Sequence, residues 1–300
     1  MQTRQSATLI GGLAVLMWAC LAPLTTAALG IPSLQLLAMT FGVAFVCGVV
    51  WLLVAGGPSR LARLRQPPGF WVLAVAGLFG YHVLYFVALR LAPPAQASLV
   101  AYLWPLLIVL FSCLGAGGEK LRATHVLGAV LGLGGTALLI LSNDSADAAS
   151  INRPLGLLAA LGCALIWSSY SVLNRRFAAV PSDAMVGVCG VVSLLGFAAY
   201  WISAGDLTAP SITQMLAILA LGIGPTGLAF LAWDHGTKHG DLPLLGVLSF
   251  AAPVLSTLLL VMLGRAAPTL TLLIACTLVV GGAALATLRI NRPSRLESTP

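Results

Sequence analysis

The sequence carries little charge for its length. Only 8% of its 300 residues are Asp, Glu, Lys or Arg, whereas 59% are hydrophobic, and the mean hydropathy is +1.02. A soluble globular domain has roughly 25% charged residues. A chain of this composition has too few charged side chains to cover a core in water. The composition therefore excludes an ordinary soluble protein and predicts a protein embedded in lipid.

Paired cysteines and catalytic motifs are also missing. The six cysteines occur singly inside apolar runs, where they act as small hydrophobic residues, so we expect neither a disulfide framework nor a metal site. No Gly-x-Ser-x-Gly elbow, His-Glu-x-x-His motif or P-loop is present. These absences predict a protein that is not an enzyme and needs no cofactor.

Long apolar runs are abundant. About 20 apolar residues cross a bilayer core as a helix, and lipid leaves backbone groups no partner outside a helix or a closed barrel. Continuous runs favour helices. The predicted spans are 8–29, 33–55, 70–91, 95–116, 122–142, 154–174, 183–204, 211–233, 243–263 and 268–289. We expect an all-α membrane protein with ten transmembrane helices.

The Lys and Arg residues divide unevenly between the two sides that these spans define. Twelve lie on the side of both termini and three on the other side. Because cationic loops stay in the cytoplasm, this division predicts that both termini are cytoplasmic. The net charge of +7 then reflects topology, so we expect the lipid bilayer as a partner and no nucleic acid.

The chain contains a weak internal repeat. A shift of 148 places Tyr102 to Pro105 onto Phe250 to Pro253, and a shift of 149 places Trp18 onto Trp167. Each half has five spans, an odd number, so the second half must cross the membrane upside down relative to the first. We predict two inverted five-helix repeats, 1–146 and 147–300, and transport by alternating access.

These features resemble the drug/metabolite transporter superfamily in its EamA-domain branch. They are ten spans in two halves, a Trp inside spans one and six, Pro105 in span four with Pro253 at the equivalent position of span nine, and Gly118 and Glu119 before a Gly-rich fifth span. The second half departs from the pattern, because Ala267 takes the position that answers to Glu119. Glu119 lies in a predicted loop, and we expect no substrate role for it.

Within that branch, the segments around Tyr81 and Tyr102 look most similar to YddG-type exporters of aromatic amino acids from bacterial inner membranes. The resemblance implies an inner-membrane exporter of aromatic or hydrophobic amino acids. An exporter of other apolar metabolites or drugs is the alternative, followed by a channel or a membrane enzyme. We expect a small-molecule substrate and a monomer.

Aromatic and polar side chains inside the apolar spans indicate where the substrate binds, since lipid does not stabilise them. In span six, Trp167, Tyr170, Ser171 and Asn174 share one helical face. The alternative interpretation is that such faces serve helix packing and hydrogen bonding between helices. The predicted cavity residues are Trp18, Tyr81, His82, Tyr85, Trp104, Trp167, Tyr170, Trp233, Ser249 and Phe250.

His82 is the histidine deepest in an apolar span, because His125 begins span five and His235 and His239 flank the predicted loop around Lys238. Its imidazole is either neutral and hydrogen-bonded to a neighbouring helix, or it contacts the substrate or binds a proton during transport. Transport is thus expected to be downhill or modestly dependent on pH through His82.

Helix-breaking residues predict hinges. Pro105 and Pro253 occupy equivalent places in spans four and nine, and span eight contains Gly224, Pro225 and Gly227. Proline removes a backbone donor and frees carbonyl groups that can meet a ligand or permit a bend. We expect these five residues to act in gating or binding, although membrane helices also tolerate such residues for packing alone.

No predicted span has a carboxylate at its centre. The eight carboxylates lie in predicted loops, termini or span ends: Glu119, Asp144, Asp147, Asp183, Asp206, Asp234, Asp241 and Glu297. Cation exporters that exchange protons usually need such a group. Carriers of phosphates need cations that reach the site, whereas Arg90 and Lys238 lie near span ends. Both classes are disfavoured, which leaves a zwitterionic or weakly polar solute with an apolar body.

Overall fold

The computed structural model describes residues 3–113, 122–142, 151–203 and 206–287. Within these ranges, ten helices are long and apolar enough to cross a membrane. They are α1 (Arg4–Ala27), α2 (Ser33–Gly56), α3 (Pro68–Leu91), α4 (Pro94–Phe111), α5 (Ala123–Ser142), α6 (Arg153–Phe177), α7 (Ala184–Ser203), α8 (Ile212–His239), α9 (Leu242–Met262) and α10 (Leu270–Thr287). Each predicted span corresponds to one helix, which confirms the predicted fold class. Glu119 and the predicted boundary between 146 and 147 lie outside the described residues.

Proline and capping residues set several helix starts. Pro68, Pro94 and Pro243 stand in the first turns of α3, α4 and α9, where a missing backbone N–H costs no hydrogen bond. Ser211 accepts from the Gln214 backbone while the Gln214 side chain accepts from the Ser211 backbone, a capping box that starts α8. Local sequence therefore determines where these helices begin.

Helix α8 is longer than predicted. The predicted span ended at 233, and His235 and His239 were expected to flank a loop around Lys238. The helix instead continues to His239, and Gly240 and Asp241 alone separate it from α9. Asp241 makes this short connection possible because its side chain accepts from the Leu244 backbone and caps α9.

The helices break at equivalent places in the two halves. Wider π-helical turns occur in α3 (Ala76–Gly80) and α8 (Gly222–Leu228), and the segments that follow are Tyr81–Leu91 and Ala229–His239, 148 residues apart. Helices α4 and α9 likewise begin with Pro94–Ala101 and Leu242–Ser249 and then break. The predicted shift of 148 thus holds for the backbone.

Helix neighbours follow the same symmetry. Helix α2 packs on α7, α4 on α9 and α5 on α10, while α1 packs on α8 as α6 packs on α3. Small residues allow close approach: a side-chain carbon on Gly11 of α1 would lie 2.9 Å from the Gly236 Cα of α8. Exchanging the two five-helix sets preserves these pairs, as an inverted repeat requires.

The outer surface of the bundle is apolar and its centre is aromatic. Leu9, Val54 and Ile202 are among many exposed aliphatic side chains, as expected where the neighbour is lipid. Trp167, Tyr170 and other large rings are buried in the central cluster. We call the side where α1 begins the terminal side, and the other the opposite side.

Candidate functional site: an aromatic cavity at the centre of the bundle

A cavity of about 120 Å³ lies between six helices. Its lining residues come from α1, α3, α4, α6, α8 and α9: Trp18, Leu21, Tyr81, His82, Tyr102, Trp104, Trp167, Phe230 and Ala252. None carries a formal charge when His82 is neutral, and seven have rings. A cavity of this size and character suits a small molecule with an apolar body.

Three tryptophans form a cage around the cavity. The Trp18 ring centroid lies 6.0 Å from that of Trp167 and 6.3 Å from that of Trp104, and the latter two are 6.2 Å apart. All three pairs meet edge to face, the arrangement that aromatic quadrupoles favour at roughly 0.5–1.5 kcal/mol each. The walls of the cavity are therefore held in position by their own ring contacts.

The backbone irregularity of α8 supports this cage. Trp18 donates its indole N–H to the carbonyl oxygen of Pro225 at 3.1 Å, within the π-helical turn. In this turn the Ala229 N–H donates to the Gly224 carbonyl, five residues earlier, instead of to the Pro225 carbonyl four residues earlier. Among the described residues, none accepts a hydrogen bond from the indole of Trp167, the repeat counterpart of Trp18. The two halves thus hold their equivalent tryptophans differently.

His82 presents a defined polar face. Its Nδ1 lies 2.7 Å from the Leu78 carbonyl oxygen. A carbonyl can only accept, so Nδ1 carries the proton and Nε2 of the neutral ring is an acceptor. The rings of Phe41 and Phe230 lie 5.4 and 6.4 Å away, both nearly perpendicular to the imidazole. An acceptor in otherwise apolar surroundings is suited to a donor on a ligand.

Tyrosines form the wall beside His82. Tyr81 stacks on Tyr85 with ring centroids 6.0 Å apart, and the Tyr85 hydroxyl shares a 3.0 Å hydrogen bond with Ser98 Oγ. Tyr81 and Tyr102 line the cavity, whereas Tyr85 stands behind Tyr81. Hydroxyl groups at the cavity surface can both donate and accept.

Five predicted cavity residues therefore line it: Trp18, Tyr81, His82, Trp104 and Trp167. The structure places the other five behind the lining. Besides Tyr85, these are Tyr170, which donates to Met185 Sδ, and Trp233, which donates to Ser171 Oγ. Ser249 donates to the Leu245 carbonyl, and the buried Phe250 ring packs beside Gly132. These side chains support the wall, and contact between them and substrate stays a prediction.

Four lining residues were not among the predicted ones: Leu21, Tyr102, Phe230 and Ala252. The internal repeat held a signal for two of them. Phe230 lies 148 residues after His82, and Ala252 lies 148 residues after Trp104. Applying the repeat to each aromatic candidate would have found both positions.

The predicted hinge residues lie at the helix breaks. Pro105 follows the break of α4 at Tyr102 and Leu103, and Pro253 follows the break of α9 at Phe250. Gly224, Pro225 and Gly227 lie within the π-helical turn of α8. All five are next to segments that line the cavity, and their role in gating stays a prediction.

The terminal side of the bundle is closed by a buried polar network. Asp234 and Lys238 of α8 form an ion pair at 2.8 Å, and both side chains are 0% exposed. Asn174 donates to the other Asp234 oxygen at 2.9 Å, and Lys238 also donates to the Val180 carbonyl at 3.0 Å. The sequence predicts Asp234 and Lys238 near span ends but does not predict that they are buried. Their burial is possible because each charge compensates the other.

The opposite side is more open. Leu21, which lines the cavity at the start of the last segment of α1, is 39% exposed. On the terminal side of the cavity, by contrast, Trp233, Phe250 and Tyr170 are each at most 1% exposed. The cavity therefore opens towards the opposite side.

Comparison with known proteins agrees with this geometry. The model of the EamA-like transporter family matches residues 5–141 and again 154–288. The chain is 51% identical over 294 residues to the aromatic amino acid exporter YddG of Ancylobacter novellus, covering 97% of this chain and 100% of that protein. The aromatic amino acid exporter YddG of Escherichia coli is 27% identical over 304 residues, covering 97% of this chain and 99% of that protein.

A solved crystal structure is also similar. Its protein is 50% identical to this chain and superposes with a TM-score of 0.89, over 97% of this chain and 100% of the solved chain. The similarity thus extends over the whole transmembrane bundle.

Proposed function

Because the chain belongs to the EamA-like transporter family and is a multi-pass bacterial membrane protein, we propose that it exports aromatic amino acids across the inner membrane by alternating access. The observation that carries the proposal is the uncharged cavity caged by Trp18, Trp104 and Trp167. It offers aromatic surface to a ring and neutral polar groups to a zwitterion.

The polar groups of the cavity match both charged ends of an amino acid. His82 Nε2 accepts from the substrate ammonium group, and the faces of the surrounding rings attract the same cation. The hydroxyl groups of Tyr81 and Tyr102 donate to the substrate carboxylate. Since the ligand brings both charges, a neutral cavity binds it without leaving an uncompensated charge in the membrane.

The orientation follows from the distribution of positive charge. Arg60, Arg63, Arg175 and Arg176 lie on the terminal side of the bundle, whereas Arg90 is on the opposite side. Cationic loops stay in the cytoplasm, so we place the terminal side there. The cavity in this structure then opens away from the cytoplasm, in the state from which an exporter releases its substrate.

Uptake into proteoliposomes tests the proposal. Purified protein should carry radiolabelled Phe and Trp faster than Thr or Ala, without a pH gradient, and a gradient should change the flux only modestly. His82→Ala should lower Phe flux roughly tenfold, because the ammonium group loses its acceptor. The lipid-facing Trp51→Phe variant is the control and should match wild type.

The result decides between the candidate substrates. If no amino acid moves under either condition while the protein is folded, the amino acid assignment fails. Transport of another apolar metabolite by the same cavity is then the function to examine. Stimulation of flux by substrate on the far side distinguishes a carrier from a channel.

A further inference from the structure

Most of the cavity lining consists of positions that the internal repeat makes equivalent. Trp18 and Trp167 are one such pair, and His82 and Phe230 are another. Trp104 is equivalent to Ala252. Both halves thus build the cavity from the same places in their folds, and differences between paired residues determine its shape.

At two cavity-lining positions, a small or aliphatic side chain in one half corresponds to a large ring in the other. Trp104 corresponds to Ala252 by the shift of 148, and Tyr170 corresponds to Leu21 by the shift of 149. The two large rings lie on α4 and α6, which pack together, and both contact Trp167. The two smaller side chains lie on α9 and α1, which also pack together.

The two walls therefore differ in the size of their side chains. Trp104 and Ala252 both line the cavity and both are 6% exposed, but an indole on α4 occupies far more volume than the methyl group of Ala252 on α9. Tyr170 is 1% exposed and packs on Trp167, whereas Leu21 lines the cavity and is 39% exposed. The side chains of α1 and α9 thus leave volume that their counterparts in the other half of the repeat fill.

We propose that Leu21 and Ala252 form the subsite for the aromatic ring of the substrate, so that the ring occupies the place corresponding to the Trp104 indole. This inference rests on the proposed transport of aromatic amino acids. Trp18 lies one helical turn before Leu21 and supplies the aromatic face of the subsite. The volume of residue 252 then sets the largest side chain that the protein transports.

The ratio of Trp flux to Ala flux, measured in one proteoliposome preparation, tests the assignment. Because both fluxes come from the same molecules, the ratio does not depend on the amount of folded protein. Ala252→Leu should lower the ratio roughly tenfold, and Ala252→Val should lower it by less, since added methyl groups occupy the volume of the ring. If the leucine variant carries neither amino acid, the valine variant gives the ratio.

A compensating change sharpens the test. Leu21→Ala in the Ala252→Leu background should restore part of the Trp flux, because it returns volume to the same subsite. Ala198→Leu, on the exposed face of α7, makes the same substitution away from the cavity and should keep the wild-type ratio.

The outcomes separate this inference from the proposed function. A wild-type ratio in both Ala252 variants, with strong Trp flux in the unchanged protein, would overturn the subsite and leave aromatic transport standing. Absence of Trp and Phe flux in the unchanged protein would overturn both. A ratio that falls with the size of residue 252 and rises again with Leu21→Ala supports both.

Discussion

The two ends of the bundle are built from equivalent segments but differ in how they close. On the terminal side, the last turns of α6 and α8 meet through Asn174, Asp234 and Lys238, all buried. Lys238 also reaches the Val180 carbonyl in the connection after α6. The two charges there are paired, and Asn174 Nδ2 donates to both Asp234 and Thr237, so these contacts favour one packing of this end.

The equivalent positions on the opposite side lack this network. Thr25 corresponds to Asn174, Phe86 to Asp234, and Arg90 to Lys238. Thr25 and Arg90 are exposed, and none of the described carboxylates pairs with Arg90.

Both halves of the repeat thus have a cation at this position, Arg90 or Lys238, but only the second half has the carboxylate, Asp234. We expect this difference to favour the packing of this structure, which is closed on the terminal side and open on the other. Because a buried ion pair gives little net stability over apolar packing, we infer that its role at the terminal end is to specify the packing of that end.

Removing the acid should have the largest effect. Asp234→Ala leaves Lys238 buried without its counter-charge, which costs about 3–5 kcal/mol for broken buried pairs. The melting temperature in detergent should fall sharply, and Phe transport should be lost. Asp183→Asn, which breaks the more exposed pair with Arg63, is the control and should change stability by less than about 1 kcal/mol. A melting temperature equal to that of wild type would show that the pair does not hold the terminal end.

Replacing both charges should separate stability from closure. Asp234→Leu combined with Lys238→Met removes two desolvated charges and should restore stability to within roughly 2 kcal/mol of wild type. The terminal end should nevertheless open more often, because Asn174 loses its hydrogen bond to Asp234 and keeps only the one to Thr237 on α8. A cysteine at the buried position Ala184, at the start of α7, leaves the network intact. Its labelling by a maleimide added from the terminal side should rise several-fold in the double variant over the same cysteine in the native network. Unchanged labelling would argue that apolar packing alone closes this end.

Introducing a carboxylate at the opposite end should make that end close more readily, as the terminal end does. Phe86→Asp places a carboxylate four residues before Arg90, the spacing of Asp234 and Lys238. Combined with Thr25→Asn, which supplies the cross-helix donor that Asn174 provides at the terminal end, the pair should favour closure of the opposite end by roughly 1 kcal/mol, a several-fold shift in population. Reduced labelling of a cysteine at position 21 would report this closure. Phe86→Asn has nearly the same shape without the charge, and equal labelling of both variants would rule out an electrostatic cause.

The smallest predicted effect is the difference in stability between variants of the two equivalent tryptophans. Trp18→Phe removes the hydrogen bond to the Pro225 carbonyl and should cost about 1 kcal/mol of stability. Trp167→Phe loses no such bond among the described residues and should cost less. Denaturation of both variants in the same detergent compares them, and equal losses would show that the bond to α8 contributes nothing measurable.

The sequence predicted the fold more completely than the cavity. Ten spans and the shift of 148 follow from hydropathy and from the matching prolines, Pro105 and Pro253, because lipid imposes helices and the repeat copies their breaks. The end of α8 was missed because Asp234 and Lys238 lower the local hydropathy. Only the folded chain shows that they neutralise each other.

Residue chemistry predicted five of the ring-bearing residues that line the cavity. Trp18, His82 and Trp167 are unusual enough in apolar helices to mark a cavity. Ser249 and Phe250 were equally plausible, yet they lie behind the wall, since the face that a helix turns to the centre depends on its neighbours. A single sequence does not show where the folded chain leaves a cavity. That the smaller residues Leu21 and Ala252 line one therefore follows only from the structure.

Alternation between the two ends is the central claim, and paired spin labels test it most directly. In a protein whose native cysteines are replaced, one label pair spans the terminal end at Arg176 and His239, and another spans the opposite end at Thr26 and Val87, all exposed positions. Saturating Phe should lengthen distances in the first pair and shorten them in the second, while Glu should change neither. If both distributions stay unchanged in label pairs that still transport Phe, the two ends do not alternate and the mechanism proposed here is wrong.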